Sequence, residues 1–240
     1  MTHPETATSE SETRFAYLLM SHRDPAHIED LVDRVLALSP HGHVMIHHDA
    51  ASPGPLPFGG GGPERVHFTE RKRILWGDWS IVERTLQMMR DAIRLADADW
   101  FVIISGEHRP VTDLGQWERA TATSGADALV EADALPPRLT FGRNDEDANR
   151  FLARCLHRWV SMDQPDFAAA HRAIGGLWKL SLSVQPLGAM EYAHRRRTWF
   201  FGTPRPRGPL AGWTFYKGTQ WIAFNRKAAD TILGTDPAVT

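Results

Sequence analysis

Phe15 to Met20, FAYLLM, is a continuous apolar run that ends at Ser21-His22, the length and character of a strand covered on both faces. Asp24-Pro25 follows, an N-cap residue and a proline suited to the first helical position. Ile28, Leu31, Val32, Val35 and Leu36 then mark one stripe of a helix that stops at Ser39-Pro40. A second apolar run, Val44 to His47, comes next. Strand, helix and strand in this spacing predict a right-handed βαβ unit with parallel strands.

From Ala51 to Pro63 the chain is mostly Gly, Pro, Ser and Ala, including Gly59 to Gly62, and reads as a mobile loop. A glycine-rich phosphate cradle requires a helix directly after the glycines. Here Pro63-Glu64-Arg65 leads into the strand-like RVHFT instead. After RKRILWGDWS, the spacing of Val82, Leu86, Met89 and Ile93 predicts a second helix, followed by a strand from Trp100 to Ile104 that ends in SGEHRP. A short helix holding Leu114 and Trp117 leads to a strand at Ala128 to Val130, which runs out into Glu131-Ala132-Asp133. Helical pieces are expected over Asn149 to Trp159 and Phe167 to Leu180. The C-terminal block predicts a strand at Trp221 to Phe224 and a helix starting near Asn225. Four strand-like runs thus end in polar or glycine-rich corners with helices between them. The pattern predicts an α/β fold with a mostly parallel central sheet, its ligand outside the carboxyl ends of the strands.

Composition narrows the function classes. The chain has 240 residues, 42% hydrophobic and 23% charged, enough for one substantial core. A formal net charge of −2 supplies no global basic field for nucleic acid. Cys155 is the single cysteine, so neither an intrachain disulfide nor a CxxC metal site can form. The polar, acid-rich start MTHPETATSESET is unlike a signal peptide and reads as a disordered tail over residues 1–13. No apolar run approaches the roughly 18 residues of a membrane span. A soluble, cytoplasmic protein is expected. Nine tryptophans are a generous supply, and flat aromatic faces suit the C–H surfaces of sugars as well as a core.

Several clusters invite a chemical reading. The run His43-Val44-Met45-Ile46-His47-His48-Asp49 ends in two imidazoles and a carboxylate. On a strand their side chains alternate faces, so the three cannot ligate one ion unless the backbone turns. Asp97-Ala98-Asp99 is a literal D-x-D, but it lies where a helix hands over to the amino end of a strand and reads as solvated turn acids. Glu131-Ala132-Asp133 stands at a strand exit, where it could bind sugar hydroxyls or simply be a solvated strand end. Cys155 and His157 are two residues apart and on a helix face different ways, so the thiol reads as structural. Ser105-Gly106 lacks the G-x-S-x-G elbow of a hydrolase. Arg195-Arg196-Arg197 could meet a diphosphate or form a solvated face.

Five blocks in order, FAYLLMSHRDPAHIEDLVDRVL, VMIHHDAAS, RILWGDWSIVERTLQMM, DWFVIISGEHRPV and YKGTQWIAFNRKAADTIL, together resemble glycosyltransferase family 14, the core-2/I-branching β-1,6-N-acetylglucosaminyltransferases and peptide O-xylosyltransferases. The likeness spans about Phe15 to Leu233, with residues 134–210 weakly matched. It implies a GT-A-like α/β fold and inverting transfer of GlcNAc or xylose from a UDP-sugar to a carbohydrate or other hydroxyl acceptor. It also implies basic side chains in place of a metal at the diphosphate, and no cofactor. By the match, Asp49 binds uridine, His47 shapes the strand end, and His22 lines the same pocket. Trp76 packs at the donor site, and Ser105 and Glu107 stand in the donor-side corner. Glu131 falls at an acceptor-binding acid, and Gln220 and Trp221 belong to a GSQW-like motif on the acceptor side.

Two departures stand out. The family writes an acid where this chain has His108 in SGEHRP, with Glu107 one residue earlier. The family's catalytic glutamate and diphosphate-binding basic residues lie beyond the GSQW-like motif, so no catalytic residue is assigned, and residues 14–240 are expected to be a single transferase domain cut short at its C-terminus. A bacterial, cytoplasmic glycosyltransferase is the leading expectation. Its rivals are a non-catalytic sugar-nucleotide or carbohydrate-binding remnant of the same fold and a metal hydrolase built on His47, His48 and Asp49.

Overall fold

The first apolar run becomes strand β1, Phe15–Ser21, in a computed structural model that describes residues 13–75, 79–135, 146–163, 189–193, 198–205 and 212–235. Helix α1, Pro25–Leu38, and strand β2, His43–His48, follow as the sequence pattern predicts. Strand β3 is Val66–Phe68, helix α2 is Trp79–Ala96, and strand β4 is Trp100–Ser105. Helix α3, Leu114–Ala122, strand β5, Ala128–Leu129, strand β11, Ala223–Asn225, and helix α5, Arg226–Gly234, complete the first of two compact units. Its six strands are ordered β3-β2-β1-β4-β11-β5. β3, β2, β1 and β4 run parallel, and β11 is antiparallel to both neighbours. This is the α/β, GT-A-like architecture with a mostly parallel sheet that the sequence predicts.

Burial on both faces explains why β1 has no polar alternation. Phe15, Tyr17 and Leu19 face a cluster with Ile28, Leu31, Val32 and Val35 of α1. Ala16 and Leu18 face Met88, Met89 and Ala92 of α2, joined by Ala229 of α5. Ring packing reinforces each layer: Phe15 stacks on Trp100 at 5.9 Å between centroids, and Phe101 stacks on Phe224 at 5.5 Å. Connections are closed by specific polar groups. Asp24 caps α1 by accepting the Ala26 N–H at 3.0 Å. At the helix's other end the Arg65 guanidinium donates to the carbonyls of Leu36, Ser39 and Gly42 at 3.3, 2.8 and 2.7 Å, satisfying orphan acceptors there.

β1 lies between β2 and β4, whose connections place α1 and α2 on opposite faces of the sheet. The carboxyl ends of β1 and β4 therefore flank a topological switch point, where the covering helices diverge and leave a crevice.

The second unit holds the described residues of 131–219. Strand β6, Ala132–Ala134, pairs antiparallel with strand β10, Tyr216–Gly218. Helix α4, Glu146–Leu156, leads into strand β7, His157–Asp163, and a three-stranded antiparallel sheet ordered β7-β9-β8 is completed by Ala189–Ala193 (β8) and Thr198–Pro204 (β9). Cys155 on α4 is half-buried, and burial pushes its thiol pKa up, as suits a structural thiol.

Four local expectations change. The strand foreseen at Ala128 to Val130 stops at Leu129, and Ala132–Ala134 pairs in the other unit. The helix foreseen to reach Trp159 ends at Leu156, because from His157 the backbone pairs with β9. The C-terminal strand is Ala223–Asn225, with Asn225 also capping α5 through the Ala228 N–H. On α2 the inward face is Met88, Met89, Ala92 and Ala96, while Val82 is exposed. Met89 of the foreseen stripe is buried and Leu86 and Ile93 pack against the same core, so the stripe forms but also takes in the small Ala92 and Ala96. The tail over residues 1–12, the helix foreseen at Phe167 to Leu180, the basic run Arg195–Arg197 and Trp76 lie outside the described residues.

Candidate functional site

Three strand ends converge on the crevice of the first unit. β1 delivers Ser21 and His22, β2 delivers His47, His48 and Asp49, and β4 delivers Ser105 through Arg109. The parallel ladder continues past the strands: Asp49 N–H donates to Ser21 O at 2.8 Å and Gly106 N–H to Met20 O at 3.1 Å.

The two imidazoles of β2 diverge. His47 is fully buried on the α2 side, where its Nε2–H donates to Lys72 O at 3.1 Å and its Nδ1 lies 3.4 Å from the Thr69 hydroxyl. His48 is buried on the α1 side with Nδ1 2.9 Å from Ser21 Oγ, and its Nε2 is buried without a hydrogen-bond partner. Burial is the leading cause that lowers the pKa of both rings and holds them neutral. His47 thus acts from behind the site: the carbonyl it holds also accepts the Ala50 N–H at 3.2 Å, which fixes segment 69–75 beside the exit of β2.

Asp49 is half-buried at that exit. Its Oδ1 accepts two backbone N–H groups, from Ala51 at 2.9 Å and from Ile74 at 3.1 Å. Arg71 closes the same loop by donating to Asp49 O at 3.2 Å and to Ser52 O at 2.8 Å. The carboxylate is therefore held rigidly, with a cation nearby.

The corner after β4 is a tight turn. Ser105 Oγ accepts the Glu107 N–H at 3.2 Å, and His108 Nδ1 accepts the Ser105 N–H at 3.3 Å. His108 also packs edge-on against Trp221, 4.5 Å between centroids, so an imidazole closes this corner where the family pattern has an acid. Gly106 lies close to α1: a Cβ there would meet Ile28 Cδ1 at 2.8 Å, so that side chain would have to shift to admit a larger residue. Its carbonyl accepts from His27 Nε2 at 2.9 Å, tying the corner to the first turn of α1. Glu107 is exposed and ion-paired with Arg23, whose guanidinium holds the carboxyl below its ordinary pKa.

His22, Asp49, Ser105 and Glu107 are therefore gathered at one edge, with His47 buried behind it. His22 is exposed. Trp221 is half-buried through the His108 contact, and Gln220 beside it is exposed. Glu131 is exposed and belongs to the second unit, where its carbonyl accepts the Thr219 N–H at 3.3 Å. Among the described residues no group of three or more His, Cys, Asp or Glu side chains is arranged to hold a metal ion. His47, His48 and Asp49 accordingly serve three different surroundings rather than one ion.

Sequence reasoning passed over Arg23, His27 and Arg71, which brace the edge. Two signals were available: Arg23 immediately precedes the Asp24 cap, and Arg71 opens the basic triplet Arg71-Lys72-Arg73. Trp79 was passed over too, an indole left 51% exposed at the start of α2.

Comparison with protein families matches residues 15–151 to the Core-2/I-Branching enzyme family. Comparison with curated proteins gives no match. No helix among the described residues is long and apolar enough to cross a membrane.

Proposed function

Because the chain belongs to the Core-2/I-Branching enzyme family, a family of glycosyltransferases, we propose that it moves GlcNAc or xylose from a UDP-sugar to a hydroxyl acceptor, with inversion and without a metal ion. The observation that carries this reading is the gathering of His22, Asp49, Ser105 and Glu107 at the switch-point edge of β1, β2 and β4. That edge is where open α/β sheets bind nucleotides.

In this reading Asp49 accepts from the uridine, held in place by the Ala51 and Ile74 amides and positioned from behind by His47. His22 lines the nucleotide pocket, and Trp76 is assigned to it from the sequence match alone. Ser105 and Glu107 meet the sugar, with Arg23 holding Glu107 ionised before the donor arrives. Arg23 and Arg71 supply positive charge at this edge, which favours an anionic diphosphate. Gln220 and Trp221 act on the acceptor side, and Glu131 is assigned to the acceptor from the sequence match alone. Inverting transfer also requires a carboxylate within reach of the attacking hydroxyl and positive charge at the leaving UDP. The base role is assigned to none of the described residues.

Calorimetric titration with UDP, UDP-GlcNAc and UDP-xylose, with and without a chelator, tests the reading. Saturable binding of UDP that survives chelation is expected. Failure to bind any of the three removes the proposal, and binding that needs a divalent cation removes its metal-free part. Binding with no transfer of labelled sugar to hydroxyl acceptors favours the non-catalytic sugar-nucleotide binder.

A further inference from the structure

Behind the crevice, on the α1 side of the sheet, an apolar pocket opens at the margin of the first unit's core. A cavity of about 250 Å³ lies over Val102 and Ile104, between Leu31 and Val35 of α1 and Leu114 and Trp117 of α3, with His108–Thr112 as its outer wall. Every polar group in that wall whose bonds are known is turned to another partner. The Tyr17 hydroxyl donates to Glu118 Oε1 at 2.7 Å, an acceptor it shares with Ser39 Oγ at 2.6 Å. His108 Nδ1 is occupied by the Ser105 N–H. The Arg109 guanidinium donates to its neighbour's carbonyl, His108 O, at 2.8 Å and to His27 Nδ1 at 3.1 Å. What faces the space is carbon, and the buried orphan at His48 lies outside its lining.

The pocket is partly open to solvent, and its carbon walls give water there few polar partners, so an apolar group that displaces that water leaves little hydrogen bonding unreplaced. Its outer wall also differs from a core segment, because Val111 in it is 95% exposed. The wall is a loop rather than a strand or helix keyed into the sheet.

We propose that this cavity is a binding site for a small uncharged apolar group, an aromatic ring or a branched alkyl chain. Such a group fills space that the chain's own side chains leave, and burying it removes its carbon surface from water. Charged or strongly hydrogen-bonding molecules are disfavoured, because the wall presents almost entirely carbon. The group could arrive as a free molecule or as the apolar part of a glycoside. The loop that walls the pocket begins at His108, next to Glu107 in the crevice, so either route is short.

The test uses the intact chain with indole, phenyl β-glucoside and methyl β-glucoside as probes, read by thermal melting and by methyl NMR of Leu31, Val35, Val102, Ile104 and Leu114. At about five times its Kd, indole is expected to raise Tm by about 2–4 °C and to shift those methyl resonances saturably. A response to phenyl but not methyl glucoside identifies the attached group as a ligand, and a response to indole alone identifies a free molecule. Val35→Phe and Leu31→Phe fill the space, and each is expected to abolish the indole response. No saturable response to either aromatic probe overturns the proposal. So does an undiminished response in a folded filling variant. UDP titration of the same samples is independent of these readouts, so failure here leaves the glycosyltransferase reading standing.

Discussion

The two ends of the central sheet are both polar, yet they are built on opposite principles. At the amino end Asp99 Oδ2 accepts the Arg14 N–H at 2.8 Å, while Asp99 O accepts the Arg226 N–H at 2.7 Å. The chain's entry, β4 and α5 are thereby pinned together. Arg226 further donates to Ala98 O at 3.0 Å, and Arg14 pairs with Asp97 at 2.9 Å. At the carboxyl end Asp49 and Ser105 organise loops, but His48 Nε2 is left buried without a partner, and Glu107, His22 and Gln220 face solvent. The literal D-x-D thus closes a structural joint, while the less conspicuous Asp49 stands at the open edge. An acid becomes a candidate binder by the strand end it occupies, because only one end of a doubly wound sheet opens into a crevice.

Substitutions at matched positions of the two ends should break the contrast in order. Asp49→Ala carries the largest effect. It removes the acceptor of two backbone amides and is expected to cost about 1–3 kcal/mol in denaturant unfolding. The same change should raise the Kd for UDP at least about tenfold, or ~1.4 kcal/mol. An unchanged UDP titration would take Asp49 out of the site. Asp99→Ala should cost about 1–2 kcal/mol by stranding the Arg14 N–H while leaving UDP binding as in the wild type. A weakened titration in that variant would mean that the two ends are not separate.

Acid should also weaken the fold. Burial is the leading cause that lowers the pKa of His43 and His67 near the amino end and of His47, His48 and His108 near the carboxyl end. In the window between the depressed folded values and the ordinary value near 6.5, the unfolded chain binds more protons. Stability is then complete above that window and falls as pH drops through it. Urea midpoints measured between about pH 7.5 and 5.5 should decline. His48→Phe, which removes one such group, should flatten the decline.

The smallest effect is expected at Asp97. Its side chain is 68% exposed and its ion pair is weak, and its φ of +45° favours glycine. Asp97→Gly should stay within about 0.5 kcal/mol of the wild type by denaturation, whereas Asp97→Ala, which keeps the strained backbone and loses the pair, should be less stable than the glycine variant.

Much of the first unit was legible. The apolar run of β1, the Asp24-Pro25 start of α1 and its inward stripe follow from local periodicity and capping chemistry, and they form as predicted. The α2 stripe was read in part: Met89 is buried and Leu86 and Ile93 pack against the core, whereas Val82 is exposed and the small Ala92 and Ala96 also face the sheet. The strand at Ala128 ended early because the residues beyond it pair in another unit, a long-range event with no local signature.

The sequence alone determined the order of strands and helices in the first unit and where most of them begin, because period, proline and cap residues act within a few residues of themselves. Only the tertiary structure decided what each polar side chain at those ends does. Ser21 reaches His48 across 27 residues, and Asp49 reaches Ile74 across 25. Whether an imidazole is locked in the core like His47 or left at the edge like His22 depends on what is brought over it. Burial and hydrogen bonding are properties of neighbours in space, and the chain acquires those neighbours only by folding.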